Sequence, residues 1–409
     1  MLSEEEDGLS HTRRFAGDVS HVDHGNGWAQ DRRRVDDDRG YVMVRAALRD
    51  LQWRRRRFVI AVLGTALVFA VSLVLAGVAA SFGQEADRTI GSVGADQWLV
   101  RDGIPGPFTS FVPIPDGWAD QVKGAGIGRA DPILVVHQTT RRLGAGGRPP
   151  ATERFRDVTL FGVRSGGLGA PVVVEGHGIA QGTDAVVDAR LGYRIGEQFI
   201  VGSQIFTVVG RTHRATLFAG LANVYVNLAS AQRLFAGVGG GGIANAIVVR
   251  GRVQPPVFEL DTGGAIPLRT LGRAEVKADV LRPLVNARQT IGLVRNLLWL
   301  VASCIVASVV YLTALERSRD FAVFKAAGTS NAAILSGLLV QAVVLAATAG
   351  ALAVAAALAL APLFPVPVAV PASAFARLAV LALAVGAAAS LAGLQRVIRA
   401  DPATAFAGP

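Results

Sequence analysis

The stretch LERSRDFAVFKAAGTS, residues 315–330, places five charged side chains between two long apolar runs. Upstream, NLLWLVASCIVASVVYLTAL (296–315) has no charged residue; downstream, residues 331–376 have none. About 20 apolar residues in a helix cross the roughly 30 Å hydrocarbon core of a bilayer. The segment therefore reads as a short connection between two spans. Ala and Phe positions among Glu316, Arg317, Arg319, Asp320 and Lys325 predict a helix there, and Gly328 is placed to end it. Two readings stand on these residues alone: a helix that passes a push from a partner into the membrane, or a turn whose charges satisfy the interface.

Composition agrees with a membrane class. The chain has 409 residues, 51% of them hydrophobic, and a mean hydropathy of +0.41. The formal charge of +10 is carried by arginine, since Lys123, Lys277 and Lys325 are the only lysines, so a nucleic-acid partner is not indicated. Arg54, Arg55, Arg56 and Arg57 stand directly before FVIAVLGTALVFAVSLVLAGVAA (58–80), which contains no charge. That run is the first span, and the cluster fixes its start on the cytoplasmic side and meets acidic lipid headgroups. Cys304 is the single cysteine, so no intrachain disulfide forms.

Residues 1–42 mix acids, arginines and glycines without apolar periodicity and read as a disordered extension; Met43 is a candidate start. His11, His21 and His24 in it lack metal-ligand spacing. Entry helix and first span occupy 43–81. Residues 82–272 alternate short β-rich runs with Gly, Pro and Asp, and form an extracytoplasmic domain. QWLV, ILVVH, VTLFGV, AVVD, QFIV, IFTVVG, NVYVNL and AIVVR read as strands. PDGWADQVKG and SAQRLFAG read as helices capped by Asp116 and Ser230. Gly202-Ser203 suits a type II′ hairpin.

From Arg273 to Arg295, apolar residues return at helical spacing as a stalk, with Pro283 expected to interrupt it, and 273–315 closes as the second span. A connection at 316–330, a third span at 331–362, a Pro-rich outer loop at 363–374, a fourth span at 375–396 and a tail at 397–409 complete the division. A five-span division would leave the C-terminus outside; Arg396 and Arg399 favour four, with both termini cytoplasmic. The expected fold class is an α-helical membrane protein with four transmembrane helices and an α+β domain inserted between the first and second.

No G-x-x-x-x-G-K-[ST] loop is present, so any ATP must be hydrolysed by another chain. The spans hold nothing more polar than Asn296 and Gln341, which argues against an ion-coupled transporter. His137, His177 and His213 are scattered, and GVGGGG (237–242) lacks a strand-to-helix setting.

The segment ERSRDFAVFKAAGTS resembles E-R-x-x-E-[IL]-A-x-x-[RK]-A-x-G-[AT] of the FtsX/MacB-like (DevC-like) permeases of ABC transporters. Glu316, Arg317, Lys325, Ala326 and Gly328 match; Asp320 stands for Glu and Phe321 for an aliphatic residue. ALRDLQWRRRRFVIAVLGTALVFAVSLVLAGV, DAVVDARLGYRIGEQFIVGSQIFTVVGRT, NVYVNLASAQRLF and RADPATAF resemble further parts of that family in the same order, covering about residues 43 to 409. The resemblance implies a non-catalytic permease of the cell membrane that works as a homodimer with a separate ATPase. ATP and Mg2+ would sit in the ATPase, with no cofactor or metal in this chain. It further implies that Glu316, Arg317, Arg319, Asp320, Lys325 and Gly328 couple to that ATPase, and that force crosses the membrane to extrude a hydrophobic or lipid-like substrate, with an extracytoplasmic partner protein in some relatives. The alternatives are a regulator of a cell-wall hydrolase and a membrane ligand receptor.

Overall fold

The first helix, α1, runs from Arg55 to Val93 and does not stop where the apolar run stops. The structure is a computed structural model. It describes residues 55–124, 128–144, 147–235, 242–252, 267–326, 328–361 and 372–377, with 380, 381, 384, 387, 388 and 391. At 1.5 Å per residue, the 39 residues of α1 reach about 58 Å, roughly twice the hydrocarbon thickness. Beyond Ala80, Phe82, Ala86, Ile90 and Val93 recur at four- and three-residue steps and are buried. Gln84, Asp87 and Arg88 interrupt the apolar run in sequence but occupy other faces of the helix. One buried stripe therefore continues for three turns into what the sequence reads as the outer domain.

Among the described residues, three helices are long and apolar enough to cross a membrane: Arg56–Val93, Arg273–Glu316 and Asn331–Leu360. The expected fourth span and the Pro-rich loop before it fall mostly outside the described residues, as do residues 1–54 and the tail at 397–409. By contact density the chain divides into one unit of Met1–Leu63, Ser303–Thr348 and Leu381–Pro409, and another of Gly64–Ala302 and Ala349–Val380.

The second unit holds an 11-stranded mixed sheet. Its order begins at β13 (Leu268–Gly272), β1 (Gln97–Arg101), β12 (Ala246–Arg250), β3 (Arg129–Arg142) and β4 (Arg156–Val163). It continues through β10 (Leu221–Asn227), β6 (Asp184–Asp188), β8 (Gln204–Thr212) and β5 (Glu175–Gly176), with β7 (Gln198–Val201) and β9 (Thr216–Leu217) attached off this path; β2 (Ile114–Pro115) and β11 (Ile243–Ala244) form a separate pair. β10 runs parallel to β4 and β6 parallel to β8; the other pairs are antiparallel. β7 (Gln198–Val201) joins β8 through Gly202-Ser203, with Val201 opposite Gln204. Gly202 has φ 56 and Ser203 is not among the residues with positive φ, as a type II′ turn requires.

Both sheet faces are covered, which is why the strands read as continuous apolar runs rather than alternating ones. Trp98, Ile133, Phe161, Val186 and Tyr225 face one layer; Leu134, Leu160, Val187 and Val224 face the other. The first layer is completed by Phe82, Ala86, Ile90 and Val93 of α1 and by Val276, Val280 and Leu281 of α4 (Arg273–Leu281). The opposite side takes α2 (Trp118–Gly124) near β1 and α3 (Leu228–Arg233) near β4. Two expected caps differ. Asn227, not Ser230, caps α3 by accepting from Ala229 N, while Ser230 Oγ donates to Gly182 O. The Asp116 carboxylate accepts from Gln232 Nε2 at 2.8 Å. Each of these side chains finds a competing partner far away in sequence.

Two buried carboxylates tie helices to the domain. Glu85 of α1 accepts from Thr216 Oγ1 (3.0 Å) and Gly220 N (3.1 Å). Asp279 of α4 accepts from Phe108 N (2.9 Å) and from Thr109 Oγ1. Each is 1% exposed. Gly106 makes the second contact possible, since a Cβ there would lie 2.7 Å from Asp279 Cβ and nearer still to the carboxylate. After α4 a 3-10 turn, Arg282–Leu284, contains Pro283 at its start, and α5 resumes at Val285 and ends at Glu316. The interruption expected at Pro283 is a change of helix type.

Gly106→Ala should displace the Asp279 carboxylate from both donors, lowering stability by about 2–4 kcal/mol; thermal unfolding of the purified chain would show it. The second expectation concerns Tyr225, 3% exposed and stacked on Phe161 at 5.0 Å, whose hydroxyl is pushed up to about 12 by burial. Because the folded value is raised, its stabilising share is whole below about pH 10 and is lost as pH rises through about 12, a loss on the order of 2–3 kcal/mol. Tyr225→Phe should remove that alkaline component while leaving unfolding near neutral pH within about 1 kcal/mol.

Candidate functional site on the short charged helix

α6 spans Ser318–Ala326 and is separated from the end of α5 by the single residue Arg317. A nine-residue helix is marginal by itself in water, so packing must hold it. Phe321 is 5% exposed and belongs, with Phe324, to one apolar cluster. The cluster includes Phe58, Ala61 and Val62 of α1, Val306, Val310 and Ala314 of α5, and Ile334 and Leu338 of α7 (Asn331–Leu360). Burying a Phe against the alternative of water is worth roughly 1.5–3 kcal/mol, comparable with the deficit of a short helix. Asp320 in the first turn and Lys325 in the last agree with the helix dipole.

The opposite face is left open. Arg319, Asp320, Val323 and Ala326 are exposed and fall at i, i+1, i+4 and i+7, one side of the helix. Val323 is 55% exposed, an apolar side chain amid charges. Gly328 follows with φ 85, where its N–H donates to Lys325 O at 3.0 Å and Thr329 N donates to Phe324 O at 2.9 Å. This left-handed closure ends α6, and Ser330 accepts from Ala333 N to begin α7.

The charges group in a way the sequence does not announce. Arg57 Nη1 donates to Glu316 Oε1 at 2.6 Å. The residue read as a lipid contact and the residue read as a coupling residue are thus two halves of one ion pair across 259 positions. Arg317 lies 3.7 Å from Asp320 Oδ2, and its guanidinium stands 5.7 Å from the Phe321 ring centre. Among the described residues, Arg319 and Lys325 take part in no ion pair. Arg56 is exposed; Arg54 and the Arg55 side chain lie outside the described residues. Inside the helix cluster the polar groups meet each other, with Gln341 Nε2 3.4 Å from Thr313 Oγ1.

Sequence reasoning missed three features: the Arg57–Glu316 pair, and the seats of Glu85 and Asp279. Glu85 and Asp279 gave one usable signal, a lone acid on the apolar stripe of an amphipathic helix. Their partners lie between 131 and 171 residues away and left no local trace. His137 stands edge-on to Phe218 at 4.6 Å, and His177 Nδ1 contacts the neighbouring Gly178 O. Among the described residues, no group of three or more His, Cys, Asp or Glu could hold a metal ion.

Residues 296–402 match the FtsX-like permease C-terminal family. An uncharacterized ABC transporter permease of Mycobacterium tuberculosis H37Rv is 40% identical over 368 residues, 90% of this chain and 100% of its own length. A second such permease of that strain is 39% identical over 367 residues, with the same coverage. The periplasmic region of MacB from Actinobacillus actinomycetemcomitans is 12% identical with a TM-score of 0.33, over 47% of this chain and 95% of that one. The quoted motif at 316–329 thus falls inside a stretch matched as family, and the relatives matched over their full length are named as ABC transporter permeases. The chain belongs to the FtsX-like family of ABC transporter permeases.

Proposed function

We propose that α6 docks the ATPase subunit with which this permease works, and that movement of the helices it packs against is passed to the sheet domain on the far side of the membrane. The observation that supports this best is the two-sidedness of α6. Its Phe face is packed among helices, while Arg319, Asp320 and Val323 stand exposed on the other. A mixed charged and apolar strip of this kind suits a protein groove, with Val323 as anchor and the charges fixing register. Glu316 and Arg317 act differently from the other coupling residues: they hold the helix ends to Arg57 and Phe321. Gly328 supplies the turn that lets the chain re-enter the bilayer.

In this reading the cell membrane holds four spans per chain, with both termini and 316–330 in the cytoplasm and 82–272 outside. Arg54, Arg55 and Arg56 face lipid headgroups, and two copies form an eight-span unit. ATP and Mg2+ belong to the ATPase, and this chain adds no catalytic group or cofactor. Its work is mechanical: closure of the ATPases shifts α6, α1 and α5 move with it, and the sheet follows because Glu85 and Asp279 join it to α1 and α4. The product is extrusion of a hydrophobic or lipid-like substrate at the outer face. Control of an outer hydrolase would use the same linkage and moves no substrate; a receptor would leave the open face of α6 without a role.

The test is copurification with ATPase subunits encoded beside the gene. Val323→Asp and Arg319→Glu leave the Phe face intact and should each weaken association about tenfold or more, with matching loss of transporter ATP turnover. Association and turnover unchanged in both would remove α6 as the docking surface. The Arg57–Glu316 pair is separable from docking. Its side chains are 32% and 38% exposed, so a double-mutant cycle with Arg57→Glu and Glu316→Arg should give a coupling of only about 0.5–1 kcal/mol in thermal unfolding. The charge-swapped double variant should regain most of what either single change loses.

A further inference from the structure

A cavity of about 490 Å3 opens between α1, α5 and the helix at 372–377, within the unit that holds the sheet domain. Its walls are of two kinds. Leu73, Ala76 and Ile291 form an apolar side, whereas Arg288, Arg295 and Arg377 line the same space. Arg288 and Arg295 lie two turns apart on one face of α5, about 10 Å along the axis. Arg295 stands 5.1 Å from the ring centre of Trp299, and Trp299 Nε1 donates to Ser72 Oγ at 2.8 Å, which fixes the floor.

Among the described residues, no Asp or Glu lines this cavity and none of the three arginines has a carboxylate partner. Arg295 Nε is buried without a hydrogen-bond partner. A buried donor on a charged group left unmade is costly, and like charges gathered without a counter-ion repel. Arg295 is half-buried, and Arg288 and Arg377 are exposed; the three come from two helices to border one concave space of the volume ligand pockets have.

We propose that this cavity binds an amphiphile with an anionic headgroup, a carboxylate or phosphate on an acyl chain, with the head on Arg288, Arg295 and Arg377 and the chain along Leu73, Ala76 and Ile291. The proposal rests on the reading that these helices cross a membrane with the sheet domain outside, and it names the class of molecule taken up at the outer end of the first span. It does not require that α6 dock an ATPase.

The experiment uses the full chain in phosphatidylcholine nanodiscs and three photoreactive diazirine probes: a fatty acid, a phosphatidylglycerol and a phosphatidylcholine. Labelled peptides are mapped by mass spectrometry. One or both anionic probes should label 72–80 and 285–299 above the other helices, the stronger identifying the source of the headgroup; the neutral probe should show no such preference. Combined Arg288→Gln, Arg295→Gln and Arg377→Gln should reduce the anionic labelling about tenfold, Arg295→Lys should retain most of it, and Arg282→Gln, outside the cavity, should leave it unchanged. Should the triple variant fail to fold, Arg295→Gln alone is read the same way. Equal labelling by anionic and neutral probes, or full labelling after the arginines are replaced, overturns the proposal. ATPase copurification is read in parallel: its loss with labelling intact sinks the docking role of α6 alone, and the reverse sinks the cavity alone.

Discussion

Among the described residues, one face of the sheet takes much of its hydrophobic layer from helices continuous with apolar spans. Phe82, Ile90 and Val93 of α1 and Val276, Val280 and Leu281 of α4 are members of the same buried cluster as Trp98, Phe161 and Tyr225. Each large apolar side chain moved from that cluster to water would cost roughly 1.5–3 kcal/mol, so six of them amount to about the whole stability of an ordinary domain. The sheet and these two helix ends therefore fold together or not at all. The ends of α1 and α4 thus belong to one packed layer with the sheet.

Hydrophobic contact by itself fixes distance but not register, and this is where Glu85 and Asp279 matter. Both are buried, and both accept from backbone or hydroxyl donors rather than from a cation. An apolar residue of equal size could be as stable there, but it would tolerate a helix slide that strands no partner. A carboxylate that must meet Gly220 N or Phe108 N does not. The attachment of α6 is of another kind: two Phe side chains in an apolar cluster and, beside it, an ion pair between α1 and the end of α5 whose members are each about one third exposed. Such pairs are worth little in water and are easily re-formed elsewhere.

The sequence made legible whatever was encoded locally. Uncharged runs of span length, the helix between Glu316 and Gly328, the break at Pro283 and the cores of the strands follow from composition and spacing over a few residues. What it hid was set by partners far along the chain. The last three turns of α1 carry Gln84, Asp87 and Arg88, so the span appears to end at Ala80; only the sheet shows that Phe82, Ala86 and Ile90 form a face. Ser230 looked like a cap because its type favours one, yet Gly182 O claims its hydroxyl and Asn227 does the capping. Arg57 was read with its three arginine neighbours as a headgroup contact, and its own partner lies at the end of another helix.

The apolar stretches also bear on where the energy enters. Residues 58–80, 296–315 and 331–361 contain no Asp, Glu, Lys or Arg, and the polar groups Thr313 and Gln341 there are buried against each other. Coupling to an ion gradient requires a group in the bilayer that changes its charge or its ligation as the ion passes. A Thr–Gln contact does neither across the physiological pH range. The ionisable groups instead collect at the ends of the spans: Arg57, Glu316 and Arg317 beside α6, Arg288, Arg295 and Arg377 around the cavity. Charges so placed can meet a protein, a headgroup or an anionic ligand, but cannot draw on the field across the core. Membership in a family of ABC transporter permeases implies an ATPase partner subunit.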